Sequence, residues 1–151
     1  LHTNSSIGAI PRLMDLGVLP DIMAGNIIGV IAQRLVRKLC LHCRTPYEPD
    51  PATRRLLSMQ EGDDRPVYRP LGCEKCENQG YRGRLAIMEI FKLDSEIDEL
   101  IARRATGREI RNAATARGFR TLADDAISRV LMGQTSLEEI SRVVDLTDRV
   151  I

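Results

Sequence analysis

Four cysteines set as two C-x-x-C pairs, Cys40-Leu41-His42-Cys43 and Cys73-Glu74-Lys75-Cys76, carry the clearest chemistry in this 151-residue chain. A two-residue spacer lets both sulfurs of a pair face one cation at about 2.3 Å, and two such knuckles complete a tetrahedral thiolate site. Gly72, beside the second pair, allows the backbone a tight turn there. The loop between the pairs is longer than in compact zinc ribbons, yet loop-closure entropy rises only slowly with length. Structural zinc held by Cys40, Cys43, Cys73 and Cys76 is the reading the spacing favours. Two disulfides, a redox-active pair or an iron–sulfur cluster are the competing ones. A redox pair needs only one C-x-x-C in a βαβ setting, and no such setting is visible. Four protein ligands leave no open coordination position, so the metal is expected to be structural, and His42 between two ligands is expected to be a bystander.

Composition narrows the classes. Hydrophobic residues make up 43% and charged residues 28%, as in ordinary globular proteins. Aromatics are only 3%, with no Trp, so the core must be aliphatic, which favours packed helices. The formal net charge of +1 gives no reason to expect a nucleic-acid partner. No apolar run approaches the roughly 20 residues of a membrane-spanning helix, and the polar opening Leu1-His2-Thr3-Asn4-Ser5-Ser6 is unlike a signal peptide. The chain opens without Met, which points to a fragment, and paired cysteines without a secretory signal point to a reducing compartment.

The elements that must position the cysteines follow from periodicity. Residues 1–6 read as a strand end or loop. Ile7, Ile10, Leu13 and Met14 recur at helical spacing up to Gly17. A second helix is expected from Pro20-Asp21, with Ile27, Ile28, Ile31, Leu35 and Leu39 as one buried stripe, widened by Val30 and Val36, and Arg34, Arg37 and Lys38 in the last turns; it delivers the chain to Cys40. Five prolines make residues 44–71 mostly loop, with a short helix possible near 52–59. After the turn at Gln79-Gly80-Tyr81-Arg82-Gly83, the run Leu85–Phe91 reads as a buried strand. Four helices are expected beyond it, opened by Ser95/Asp98, Thr106/Glu109, Thr121/Asp124 and Ser136/Glu139, each a hydroxyl with a carboxylate three residues on.

Several stretches together resemble one family. His2-Thr3-Asn4, Gly8-Ala9-Ile10-Pro11-Arg12-Leu13 and Met14-Asp15-Leu16-Gly17 resemble the histidine-box region of secretion ATPases. The segment Gln33–Cys40, followed by Gly72-Cys73-Glu74-Lys75-Cys76, is similar to their zinc-binding segment. Gly80-Tyr81-Arg82-Gly83-Arg84 and the stretch Gly133–Ile140 match their C-terminal tail. The chain thus resembles the C-terminal region of the type II secretion and type IV pilus-assembly ATPases (the GspE/PilB group), over nearly its whole length and most weakly across 47–68. The resemblance implies a hexameric cytoplasmic motor docked at the inner membrane on platform proteins, driven by ATP and Mg. It places His2 near the nucleotide, where an imidazole can stabilise phosphate charge, with Thr3 and Asn4 as its neighbours. The phosphate-binding G-x-x-x-x-G-K-[ST] loop and the acidic Walker B strand are absent here, so no ATP turnover is expected from this chain alone. Retraction ATPases of the same superfamily lack the cysteine pairs, which favours the assembly or secretion branch.

The expected fold is therefore α+β and mainly helical. It comprises a tail of a RecA-like ATPase core over 1–39, a four-cysteine zinc module over 40–83 and a helical C-terminal lobe over 84–151. The arginines at 103, 104, 108, 111, 117 and 120 read as a solvated face balanced by Glu96, Asp98, Glu99 and Glu109 rather than as partner contacts. The competing function is a stand-alone zinc-ribbon interaction module. No Ser–His–Asp or Cys–His arrangement supports an independent hydrolase.

Overall fold

A computed structural model describes residues 2–147 of the chain. Among these residues it forms seven α-helices and four strands. They run in the order α1 (Ala9–Asp15), α2 (Pro20–Met23), β1 (Gly29–Leu39), β2 (Thr45–Tyr47), α3 (Pro51–Leu56), β3 (Val67–Arg69), β4 (Tyr81–Lys92), α4 (Ser95–Ala102), α5 (Gly107–Ala116), α6 (Leu122–Leu131) and α7 (Leu137–Ser141). A single 3-10 turn, Glu74–Cys76, lies between β3 and β4. Two two-stranded sheets complete an α+β fold, β1 with β4 and β2 with β3. The Cys40 N–H donates to the Gly80 carbonyl (3.0 Å) and the Leu93 N–H to the Ile28 carbonyl (3.1 Å), so β1 and β4 run antiparallel.

The residues gather into two compact units, each drawn from two stretches of chain: 2–33 with 88–122, and 34–87 with 123–147. In the first unit α4 packs against α2 and α5. Its core is aliphatic, with Ile10, Met23, Ile97, Ile101 and Ile110 almost fully buried around Phe91. Phe91 and Phe119 meet edge to face, with centroids 6.0 Å apart, the arrangement that sets a positive ring edge on a negative face. In the second unit Val36, Leu57, Val67, Ile87, Val130 and Ile140 are buried.

The expected helix over 27–39 is a strand. Only Pro20–Met23 is helical, and the chain is extended from Gly29. Ile27, Ile28, Val30, Ile31 and Val36 are β-branched, which disfavours a helix and suits a pleated surface. The spacing also fits a period of two, and pairing with β4 decides between them. The supposed buried stripe is consequently divided: Val36 and Leu39 are buried, whereas Ile28, Ile31 and Leu35 are 84%, 63% and 55% exposed. The basic residues Arg34, Arg37 and Lys38 belong to this strand and have no helix dipole to complement.

The remaining expectations fare better. Residues 7–16 contain α1, the expected strand Leu85–Phe91 lies within the longer β4, which already begins at Tyr81 inside the expected turn, and four helices follow it. Thr106 and Glu109 form the expected capping box, with the Glu109 N–H donating to Thr106 Oγ1 (3.3 Å) and the Thr106 N–H to Glu109 Oε2 (2.8 Å). The cap of α4 is Asp94 rather than Ser95; its carboxylate accepts the Ile97 N–H at 3.0 Å. An ionised oxygen one residue earlier is the stronger acceptor for that orphan donor. Within 44–71, α3 appears with Asp50 accepting the Thr53 N–H at 2.7 Å. The antiparallel β2–β3 ladder, Thr45↔Arg69 to Tyr47↔Val67, was not anticipated, because Pro46 and Pro66 argue against strands there. The arginine face is balanced as expected in two places: Arg103 pairs with Glu109 (3.3 Å), and Arg117 with Glu96 and with Asp94 (2.9 Å).

Candidate metal centre

Each cysteine pair sits where an element ends. β1 stops at Leu39 and the chain turns at once, with the Cys43 and Arg44 N–H groups both donating to the Cys40 carbonyl, at 3.3 and 2.9 Å. The second pair brackets the 3-10 turn, with the Cys76 and Asn78 N–H groups donating to the Cys73 carbonyl, at 3.1 and 2.9 Å. Gly72 and Gly80 flank that turn at φ +112° and +77°, and a methyl group on either would crowd its neighbours: Asn78 O at 2.9 Å for Gly72, Pro70 Cβ at 2.5 Å for Gly80. Only glycine supplies both the left-handed backbone and the clearance. The β2–β3 ladder then closes the long loop, so that it returns beside the first pair.

The four sulfurs converge within 4.8 Å of one another. Cys40 to Cys73 is 3.9 Å, Cys43 to Cys76 3.8 Å and Cys73 to Cys76 3.7 Å. A tetrahedron with metal–sulfur bonds of about 2.3 Å has edges of about 3.8 Å, so the cage is the size of one tetrahedral ion. A disulfide holds its sulfurs near 2.05 Å, roughly half these separations. In a multi-iron cluster the thiolates bind different irons, which spreads them beyond a single-ion cage. The thiols are therefore free and preorganised for a single ion.

Backbone N–H groups prepare the sulfurs for charge. Cys43 Sγ accepts from Gly72 (3.3 Å); Cys76 Sγ accepts from Cys73 (3.3 Å) and Gly80 (3.2 Å). Burial pushes the Cys43 thiol up to about 11, with the Gly72 N–H opposing and the neighbouring thiols adding to the rise. Burial also pushes at Cys76, but the Cys73 and Gly80 N–H groups and the adjacent thiols outweigh it and bring that thiol down to about 6. Cys76 is thus the thiolate the protein itself stabilises, whereas burial works against charge on Cys43. His42 stays outside the cage, exposed, its Nδ1 3.5 Å from Lys75 Nζ.

The cysteine cage is tied to a loop far along the chain, a link that no motif of the sequence signals. The Arg44 guanidinium lies 4.3 Å over the Tyr68 ring and donates to the Gly133 carbonyl at 2.6 Å. The Leu39 N–H donates to the Gln134 carbonyl (2.9 Å), Thr135 Oγ1 donates to the Arg37 carbonyl (2.8 Å), and Tyr81 Oη lies 2.7 Å from Ser136 Oγ. Arg37 stacks 4.2 Å over Tyr81 and grips buried Glu139 with its Nε, its Nη2 (2.7 Å) and its own backbone N–H. Glu139 was expected to bond back to its cap; Ser136 does accept the Glu139 N–H (3.1 Å), but the carboxylate serves Arg37 instead. The signal in the sequence was a pair of opposite charges in two apolar segments that each needed a partner.

His2 is exposed in an irregular, bent segment. The turn after it is held by Thr3 Oγ1 donating to the Ser5 carbonyl (2.9 Å) and by the Gly8 N–H donating to Ser5 Oγ (3.1 Å). No helix of the described residues is long and apolar enough to cross a membrane.

A family model described as "Type II/IV secretion system protein" matches residues 1–142. The chain belongs to that family. Among relatives of this type II/IV secretion family member, the "Type II secretion system ATPase E" of Vibrio cholerae serotype O1 is 41% identical over 143 residues, covering 95% of this chain and 28% of the relative. The "Type IV pilus assembly ATPase PilB" of Thermus thermophilus is 41% identical over 142 residues, covering 93% of this chain and 16% of the relative. The "Type IV pilus assembly ATPase TfpB" of Acinetobacter baylyi is 38% identical over 149 residues, covering 97% and 26%. The chain thus spans about a quarter or less of the length of these relatives, and the family resemblance read from its motifs is borne out.

Proposed function

We propose that this chain acts as part of a hexameric ATPase that powers type II secretion or type IV pilus assembly. The likeness to ATPases of both systems over 93% or more of the chain carries the reading. The chain's own contribution is a rigid, metal-braced structure: Cys40, Cys43, Cys73 and Cys76 hold one structural zinc ion, whose preference for four thiolates in a tetrahedron fits the cage. ATP and Mg bind elsewhere in the intact motor, on a phosphate-binding loop this sequence does not contain. His2 faces the nucleotide phosphates in that assembly, and neighbouring subunits and inner-membrane platform proteins contact the chain on the cytoplasmic side.

Two measurements test this reading. Protein purified without chelator is expected to hold one equivalent of zinc, falling by at least about tenfold in affinity when Cys76 is replaced by serine. Less than about half an equivalent, with four freely titrating thiols, removes the zinc assignment. The full-length protein is expected to hydrolyse ATP with magnesium while this chain alone does not; turnover from the chain alone contradicts the assignment of roles.

A further inference from the structure

Glu89 stands out as a carboxylate in the middle of an apolar strand. It is only 3% exposed, on the same face of β4 as buried Phe91. Three donors converge on it. Ser6 gives Oε1 both its backbone N–H and its hydroxyl, the latter at 2.7 Å, and the Leu122 N–H reaches Oε2 at 2.8 Å. Ser6 is itself fully buried. A buried carboxylate is costly unless its lone pairs are met, and here each oxygen has at least one charge-assisted bond. One side chain thus joins three segments distant in sequence: the 3–8 turn, β4 and the first residue of α6. The turn continues directly into His2 through the Thr3 and Ser5 bonds described above.

We propose that Glu89 is a positioning residue: by clamping Ser6 it fixes the 3–8 turn and so aims the His2 imidazole. This rests on the reading of His2 as the group that faces phosphate in the intact motor. Glu89 does not touch the nucleotide; it acts through the backbone of the segment that carries His2. Glutamine at this site keeps the shape and loses the function, because its amide presents one acceptor and one donor where three donors point. The Leu122 N–H, or the Ser6 pair, then faces an NH2 group and the clamp opens.

The test uses the full-length ATPase with four forms: wild type, Glu89→Gln, His2→Ala and the double variant. Glu89→Gln is expected to lower kcat by about tenfold, with KM for ATP within about twofold, because a misaimed group costs rate more than ground-state binding. Hydrogen exchange in peptides covering 3–8 is expected to rise at least about tenfold while exchange in α4 and α5 stays unchanged. In the His2→Ala background Glu89→Gln is expected to cost nothing further in kcat. An equal loss of kcat in both backgrounds overturns the proposal, as does unchanged protection of 3–8. Should Glu89→Gln fail to fold, Ser6→Ala removes the hydroxyl bond alone and must show the same dependence on His2. If His2→Ala leaves kcat unchanged, the nucleotide-facing role of His2 falls and the catalytic part of this inference falls with it. The exchange measurement still decides whether Glu89 anchors the segment.

Discussion

At the scale of single residues, one absent methyl group decides whether the second knuckle can close. A Cβ on Gly80 meets Pro70 Cβ at 2.5 Å and the Pro70 Cα at 3.2 Å, on a backbone at φ +77°. Gly80→Ala is therefore expected to cost about 1–3 kcal/mol of stability and to weaken metal binding, since its N–H is one of the two backbone donors to Cys76. Chelator competition and thermal unfolding check this. Gly107→Ala serves as the control: nothing lies within 4 Å of its added methyl, and alanine is the better helix former, so stability should hold or rise. A Gly80→Ala variant with unaltered metal affinity would show that the knuckle adapts. The cysteine spacing and the turn that ends at Gly80 were legible because C-x-x-C and glycine-rich turns are local signals, although Tyr81–Gly83, read as part of that turn, already belong to β4. Glu89 was not, since a single acid in an apolar run shows only that a partner exists and says nothing of where.

At the scale of elements, β1 and α7 are joined by Arg37 and Glu139, at opposite ends of their unit's sequence. Glu139 is held below its ordinary 4.5 by the Arg37 guanidinium, with burial pulling the other way. A folded pKa below the unfolded one means that the unfolded chain takes up the proton first as pH falls. The pair's stabilisation is therefore complete above the ordinary glutamate range and is lost on acidification through it. Arg37→Met leaves a nearly buried carboxylate with its main cation gone and is expected to cost about 2 kcal/mol at pH 7. Urea unfolding of both forms from pH 7 to pH 3 should show that difference shrinking; a constant difference means that Arg37 acts through its stacking on Tyr81 alone. A milder element-scale effect belongs to α5, where Thr106→Ala breaks a capping box and is expected to cost about 1 kcal/mol in thermal or urea unfolding. The capping box of α5 could be read beforehand because it lies within four residues, whereas the cap of α4 falls one residue before the expected Ser95 and β1 could not be read at all. Its β-branched run fits two periods, and only its partner strand some fifty residues later settles the choice.

At the scale of the molecule, the sequence shows segments in order, but the two packed units are each assembled from stretches that are not consecutive. Nothing local marks such an arrangement; it follows from β1 and β4 pairing across the intervening residues. The four-cysteine cage belongs to the unit of 34–87 with 123–147. Its bonds to Gly133, Gln134, Thr135 and Ser136 predict what metal removal does. Without the ion four sulfurs lose their common partner, and the loop between the cysteine pairs is left to the short β2–β3 ladder, the Cys40–Gly80 backbone bond and the stacking of Arg44 on Tyr68. The loss of such a cross-link is expected to destabilise that unit by about 3 kcal/mol or more. Hydrogen exchange with and without chelator should show faster exchange over 40–80 and, at the same chelator concentration, over 133–139. Peptides of α4 and α5, whose aliphatic core contains no thiol, should keep their protection. Fast exchange over 40–80 with 133–139 unmoved would mean that the bonds from Arg44, Leu39 and Tyr81 survive the loss of the cage. The metal would then brace only its own loop.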